Sequence, residues 1–315
     1  MTKTEYKPTV SVIIPTYNRA HLIGRAIQSV LDQTYQDFEI IVVDDASTDN
    51  TKEVVKSFGD KRIKYLRLRE NSGSSAAPKN TAIKITKGKY IALLDSDDEW
   101  LPEKLEKQIQ LFKNSKKKNL GFVGCNVLVV DEQTNKRYEY KTPKYKNVFQ
   151  RLLENDFIWS SSSVMVKKSV IDNVGLFDES LKNANDWEMW IRIAQKYDFD
   201  FVDEPLFKYY WHGGNITRTA GNLKKIQYKE YILIKHKNLY KKHPKAYSIT
   251  LRNIGTAYLL NNDLKNARKY FIKAIKVAPW YLRTYFNLIV SLFGSKFYKK
   301  ILYQKRKMAG DFSLD

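Results

Sequence analysis

The sequence predicts an α/β fold, a mostly parallel sheet with an antiparallel extension, followed by an all-α C-terminal region. Three observations carry this. Short apolar, β-branched runs alternate with segments at helical spacing as far as about Phe112. Between about Phe122 and His212 strand signals persist while the strand–helix alternation loosens. From about Lys224 onward they vanish.

The first strand is VSVIIP (10–15), continuous enough in apolar residues to be buried on both faces. Leu22, Ile23, Ala26, Ile27, Val30 and Leu31 then recur at helical spacing, and FEIIVV (38–43) is a second buried strand. STDNTKEVVKSF (47–58) opens with capping residues and continues as a helix. IKYLRL (63–68), SSAAPKNTAIKIT (74–86) and YIALL (90–94) read as strand, helix and strand. Pro102 starts the helix LPEKLEKQIQLF, as proline favours a first helical turn. Beyond it, FVGCNVLVV (122–130), KRYEYK (136–141) and SSVMVKK (162–168) look like strands of an antiparallel extension. NDWEMWIRIAQKY (185–197) is helical, and FVDEPLFKYYWH (201–212) is a strand broken at Pro205. In 248–281, Gly255, Tyr258, Ala267, Phe271, Ala274 and Pro279 fall at tetratricopeptide spacing, a helix–turn–helix unit of about 34 residues. Only one full copy is present, so it must lean on its neighbours. The predicted domains are therefore 1–222, α/β, and 223–315, basic and helical.

At 315 residues the chain is long enough for a sizeable core. Its single cysteine, Cys125, allows no internal disulfide and suits a reducing compartment. MTKTEYKPTV lacks the apolar segment of a signal peptide, and the longest apolar stretch, 285–294, is too short to span a bilayer. A cytoplasmic protein is expected. The net charge of +21 is uneven: Gly213–Asp315 holds 22 Lys and Arg against 4 Asp and Glu, leaving 33 against 30 before it. Such a basic segment suits an anionic partner or a solvated lysine-rich face.

Three carboxylate sites fall at strand ends or helix starts, where open α/β sheets place ligands. The first is Asp44-Asp45. Either Asp45 or Ser47 caps the next helix, or Asp45 faces a ligand. A dinucleotide reading would require G-x-G-x-x-G after the first strand, and the chain has PTYNRA there. The second is Asp95, Asp97, Asp98 and Glu99. Crowded carboxylates raise one another's pKa unless a cation sits among them. Asp95-x-Asp97 places two side chains on one side of an extended segment, half of an open site for Mg²⁺ or Mn²⁺ that a diphosphate would complete. Asp98 and Glu99 read equally as helix-start charges favoured by the macrodipole. The third is Asn185-Asp186, where the acid is either a first-turn charge or a general base. His212 either is structural, as a lone histidine usually is, or binds a metal or phosphate, with Gly213 and Gly214 permitting close backbone approach.

In order along the chain, VSVIIPTYNRAHLIGRAIQSVLDQTYQDFEIIVVDDASTDNT and ENSGSSAAPKNTAIKITKGKYIALLDSDD resemble the motifs of family 2 glycosyltransferases, and the resemblance reaches about Ile216. It implies the GT-A fold, a Rossmann-like sheet, and transfer of a sugar from a nucleoside diphosphate, typically UDP, with inversion. It places Pro15, Thr16 and Tyr17 beside the nucleotide. Asp45 would lie on the base, Lys79, Asp95 and Ser96 near the donor, and Asp97 with His212 on a divalent metal. Asp186 corresponds to the catalytic base. Two residues depart from the family pattern: Asn185 stands where Glu is usual, and Lys79 where Arg is common, which keeps the charge but loses the bidentate fork.

The expected partners are a nucleotide-sugar donor, a glycan or lipid-linked saccharide acceptor, and an anionic membrane surface that Phe293, Phe297, Ile301 and Leu302 would meet among lysines, unless those four pack on the catalytic domain instead. Such a protein would be cytoplasmic, peripheral at the inner membrane face. No nucleic-acid fingerprint is present. Two other classes fit the sequence less well. A metal-dependent sugar-phosphate nucleotidyltransferase would carry a glycine-rich loop after the first strand, and this chain does not. A non-catalytic tetratricopeptide-type interaction protein would have lost the acids, and all are retained.

Overall fold

The computed structural model describes residues 7–212 and 222–308. Gly213 and Gly214 lie outside the described residues. The chain divides into two compact units, Met1–Leu152 with Asp156–His212, and Leu153–Asn155 with Gly213–Asp315.

The first unit is built on one sheet. Its first half alternates as β1 (Val10–Thr16), α1 (Ile23–Leu31), β2 (Phe38–Asp44), α2 (Thr51–Ser57), β3 (Ile63–Arg67), α3 (Ala76–Ile83) and β4 (Tyr90–Leu93). These strands pair in parallel. There follow β5 (Glu99–Trp100), α4 (Lys104–Asn114), β6 (Leu120–Asp131), β7 (Arg137–Tyr140) and α5 (Val148–Glu154). A 3-10 turn (Ser161–Ser163), β8 (Met165–Lys167), α6 (Lys168–Val174), α7 (Asn185–Ala194) and β9 (Asp198–Trp211) complete it. Among the described residues nine strands form the sheet, in the order β3-β2-β1-β4-β8-β6-β9-β5 with β7 on β6. β8 runs antiparallel to β4 and β6, and supplies the expected extension.

Burial explains the parallel half. Every residue of β1, β2 and β4 is buried, the pattern of strands covered on both faces. α1 turns Ile23, Ala26, Ile27 and Val30 inward. Register then sets the site. Val10 pairs with Phe38 and Thr16 with Asp44, so β1 and β2 end level. Ile13 pairs with Leu93, and the Leu94 N–H donates to the Ile13 carbonyl at 3.0 Å, so the chain leaves β4 beside the end of β1. Strand order reverses between β1 and β4, the place where open α/β sheets bind ligands. Gly88 is needed just before β4: a Cβ there would meet the Ser11 nitrogen at 2.5 Å.

Three local expectations change. The helix after β2 starts at Thr51, and Asp49 accepts the Thr51 N–H; Asp45 and Ser47 do not cap it, because they are held in the preceding turn. Pro205 does not break the last strand. β9 runs through it with a register shift where Asn126 faces Pro205, a bulge that accommodates the missing N–H. Glu99 is no helix-start charge: it lies in β5, and its carboxylate takes a 2.6 Å bond from Lys208 of β9.

The described part of the second unit is helical: α8 (Asn222–Lys235), α9 (Lys237–Lys242), α10 (Pro244–Leu260), α11 (Leu264–Val277), α12 (Arg283–Leu292) and α13 (Gly294–Met308). α10 and α11 are joined by three residues. Asn262 takes the left-handed conformation at φ 63°, and Asp263 caps α11 by accepting the Asn266 N–H at 3.0 Å. Gly255 lets α10 approach the Phe271 ring, which a Cβ would meet at 2.7 Å. Leu259, Ala267, Phe271, Val290 and Tyr298 form the core there. Ile301 and Leu302 pack against that core and not outward, whereas Phe293 and Phe297 are exposed. Among the described residues no helix is long and apolar enough to cross a membrane.

Candidate active site

The site is assembled at the C-terminal edge of β1, β2 and β4. Pro15 and Thr16 are buried at the end of β1, and Tyr17 beyond them is exposed. Asp45 follows β2. Its N–H donates to the Thr16 carbonyl at 2.8 Å, and its carboxylate accepts from the Ser72 N–H at 2.9 Å and the Ser72 hydroxyl at 3.0 Å. A carboxylate has about four acceptor positions, so Asp45 keeps capacity for a further donor. Ala46 beside it is held at φ 65°, and Ala184, two residues before Asp186, at φ 58°. Left-handed backbone costs an alanine about 1 kcal/mol. Both alanines flank a candidate functional acid, where such strain tends to collect.

The acids after β4 are not arranged along an extended segment. The Asp98 N–H donates to the Asp95 carbonyl at 3.1 Å, closing a turn with Ser96 and Asp97 at its centre and Ser96 buried. The turn sends the three carboxylates to different partners. Asp97 meets His212 Nε2 at 3.3 Å. Asp95 accepts from the Ser160 hydroxyl at 3.1 Å, and Asp98 from the Ser162 hydroxyl at 2.5 Å. Electrostatics follow these surroundings. Burial pushes the Asp97 carboxyl up, but the His212 hydrogen bond and the Arg19 charge outweigh it and hold the group below its ordinary value. Burial raises Asp95, with Lys79 opposing and Asp97 and Asp186 adding to the rise. Burial, then the neighbouring charges of Asp97 and Asp95, push Asp98 well above the usual carboxylate range. Of the three acids Asp98 therefore meets the strongest opposition to ionisation and Asp97 the weakest.

Asp186 sits in the first turn of α7, half-buried, and accepts the Trp187 N–H at 2.8 Å. Asn185 beside it is buried, and its Nδ2 lies 3.4 Å from the Ser75 hydroxyl. Lys79, on α3 and buried, donates to the Ser161 hydroxyl at 3.0 Å; that hydroxyl lies 3.4 Å from Asp186 Oδ2. The structure therefore brings Asp95, Asp97, Asp186, Lys79 and His212 to one locality, with Thr16 and Asp45 on the neighbouring strand ends.

Sequence reasoning missed the element that ties these together. Ser160–Ser163 form a turn before β8 in which Ser160 reaches Asp95 and Asp98, Ser161 joins Lys79 to Asp186, and Ser162 accepts the Asp95 N–H at 2.9 Å. Trp100 fixes the turn by donating its indole N–H to the Ser162 carbonyl at 2.9 Å. Four consecutive serines before a buried strand were the available signal. Arg25 was missed too: from α1 it donates to the Asp97 carbonyl at 3.0 Å and stacks on Tyr210 at 3.4 Å. Among the described residues no group of three or more His, Cys, Asp or Glu side chains is gathered to hold a metal by itself.

A sheet of this topology with acids at the switch point is the architecture of a GT-A glycosyltransferase. The chain belongs to glycosyl transferase family 2, whose sequence model matches residues 11–175. It is similar to the putative teichuronic acid biosynthesis glycosyltransferase TuaG of Bacillus subtilis, 32% identical over 61% of this chain and 75% of that protein. It is also similar to the UDP-Glc:alpha-D-GlcNAc-diphosphoundecaprenol beta-1,3-glucosyltransferase WfgD of Escherichia coli, 35% identical over 59% of this chain and 70% of WfgD. Among solved structures, S. aureus TarS 1–349 in complex with UDP-GlcNAc shares the fold with a TM-score of 0.64 at 17% identity, over 93% of this chain and 92% of that one.

Proposed function

We propose that the protein transfers a sugar from a UDP-linked donor to a hydroxyl of a glycan or lipid-linked saccharide, with inversion, in surface polysaccharide synthesis. One observation carries the reading: a half-buried Asp186 in a first helical turn, linked through Ser161 to Lys79 and set beside the Asp95–Asp97 turn. The names of TuaG and WfgD support the polysaccharide setting, the UDP donor and the lipid-linked acceptor.

In this reading Pro15, Thr16 and Tyr17 border the nucleotide, Asp45 accepts from the base, and Lys79, Asp95 and Ser96 face the donor's sugar end. Asp97 and His212 offer one carboxylate and one imidazole, a donor set that fits Mn²⁺ or Mg²⁺ only if a diphosphate supplies further ligands. The cation, when bound, neutralises charge on the departing diphosphate. Asp186 takes the proton from the acceptor hydroxyl while that oxygen attacks the anomeric carbon. The bond from that carbon to the diphosphate breaks on the opposite face, and the anomeric configuration inverts. Positioning supplies much of the rate. Residues 1–222 are the proposed catalytic domain. Residues 223–315 are the helical one, with a tetratricopeptide-like pair at 248–281, and serve to keep the enzyme at an anionic membrane face.

The test is a panel of nucleotide sugars scored for nucleoside diphosphate release with Mn²⁺, with the product's anomeric configuration read by NMR. UDP release that disappears in Asp97→Asn and Asp186→Asn supports the reading. Transfer left undiminished by either substitution removes the role given to that residue, and a retained configuration removes the single displacement.

A further inference from the structure

Helix α12 is built inside out. A surface helix normally turns its apolar stripe to the core. Here Thr284, Asn287 and Ser291 face inward with Val290. Two of these polar groups are satisfied there: Asn287 Nδ2 donates to the Thr256 hydroxyl at 3.0 Å and the Ser291 hydroxyl to the Leu288 carbonyl at 2.5 Å. The outward stripe is Leu282, Phe286, Ile289 and Phe293, spaced at four, three and four residues and 75%, 51%, 56% and 66% exposed. It runs on into α13, where Phe297 lies against Phe293 with ring centroids 5.2 Å apart. A polar inner face and an apolar outer one cannot arise from core packing, so the outer face is built to meet something.

Charge identifies what that is. From Leu264 to Met308 the sequence contains twelve Lys and Arg and no Asp or Glu. Arg283, Lys296, Lys299 and Lys300 are exposed around the stripe, and Lys265, Lys269, Lys273 and Lys276 are exposed along α11. A second copy of this chain would bring like charge against like charge, and a nucleic acid, which could stack on the phenylalanines, would leave the aliphatic Leu282 and Ile289 without a partner. A bilayer with anionic headgroups satisfies both features, apolar side chains entering the acyl boundary and lysines resting on the headgroups. We propose that the outer face of α12 and the start of α13 form the docking surface for an anionic membrane. The proposal deepens the membrane-facing part of the proposed function by naming the surface.

The full-length protein is sedimented with vesicles of phosphatidylcholine alone and of an equimolar mixture with phosphatidylglycerol. It is expected to pellet with the mixed vesicles only and to be released by salt. Phe286→Ser with Ile289→Ser should abolish pelleting. Lys296→Gln, Lys299→Gln and Lys300→Gln combined should weaken it by about a hundredfold, since each lysine near an anionic surface contributes roughly fivefold. The proposal is overturned by no pelleting with anionic vesicles, by equal pelleting with neutral ones, or by pelleting unchanged in the Phe286/Ile289 variant. A dimer in light scattering that the same variant dissolves also overturns it, by making a second copy the occupant. Sugar transfer to a soluble acceptor reads the transferase proposal alone, so the two fail separately.

Discussion

Lys79 and Asp186, carried on different helices, meet at one atom: the Ser161 hydroxyl oxygen lies 3.0 Å from the lysine nitrogen and 3.4 Å from the aspartate. With Lys79 donating, the hydroxyl proton is left for Asp186, so the serine orients the proposed base. Removing it leaves a buried ammonium short of an acceptor and the carboxylate free to turn. Ser161→Ala is expected to lower kcat roughly tenfold to a hundredfold, the worth of a hydrogen bond to a charged group, with donor KM little changed. Ser161→Thr, which keeps the hydroxyl, should recover part of the loss. A fall in KM-dependent binding alone, with kcat intact, would show that the serine does not act through Asp186.

Lys104 gives a stability prediction away from the site. It is fully buried over the Trp100 ring at 4.1 Å, with Gln108 Oε1 at 2.8 Å as acceptor. Burial lowers its pKa to about 8. The folded state therefore holds the proton more weakly than the unfolded chain, and stability rises as pH climbs from about 8 toward the ordinary lysine value near 10.4. Below about 8 the penalty is at its full, constant size. Lys104→Met removes the charge at similar length. It should be more stable than the parent by about 1–2 kcal/mol at neutral pH, after the lost Gln108 bond is allowed for, with the advantage shrinking between pH 8 and 10. Urea melts of both proteins across that range check the sign.

The parallel half of the sheet was legible because burial on both faces leaves an unbroken apolar signature, as in VSVIIP and FEIIVV. The acids were legible as residues but not as geometry. Asp95 and Asp97 were expected on one side of an extended segment, and a turn separates them instead, because the Asp98 N–H closes back on the Asp95 carbonyl. That closure depends on Ser160 and Ser162, more than sixty residues away in sequence and invisible to local pattern. Arg25 escaped for the same reason, since a cation on the outer turn of an amphipathic helix reads as solvated until Asp97 and Tyr210 are seen beside it. The apolar stripe was half legible: Phe293 and Phe297 were expected to face outward together with Ile301 and Leu302, but Ile301 and Leu302 pack on the core of Val290 and Tyr298, and the exposed residues of α12 itself were missed.

Gly255 tests the helical unit by setting two effects against each other. In an exposed helix, Gly→Ala stabilises by about 1 kcal/mol. Here the new methyl would meet Phe271 at 2.7 Å and the Ala267 carbonyl at 3.1 Å, and the carbonyl belongs to backbone that cannot swing away. Overpacking of this kind costs about 1–3 kcal/mol and should reverse the sign. Gly255→Ala is expected to lower the melting temperature while leaving sugar transfer at permissive temperature unchanged. An increase would mean that α10 and α11 stand further apart than described.

The proposed Asp97–His212 metal site predicts coupled binding of cation and nucleotide. With Asp97 and His212 as the proposed ligands, most of a divalent cation's coordination would be left to water, and hard cations of this type prefer phosphate oxygens to complete the shell. Mn²⁺ alone should bind weakly, and UDP should tighten it by roughly tenfold to a hundredfold, with Mn²⁺ tightening UDP by the same factor because the coupling is reciprocal. Asp97→Asn should remove the coupling while leaving metal-free UDP binding near its original strength, since the nucleotide's proposed contacts at Thr16, Tyr17 and Asp45 are untouched. Calorimetric titrations of each ligand in the presence and absence of the other measure both factors. Equal affinities with and without UDP would place the cation away from the diphosphate, and with it the role given to His212.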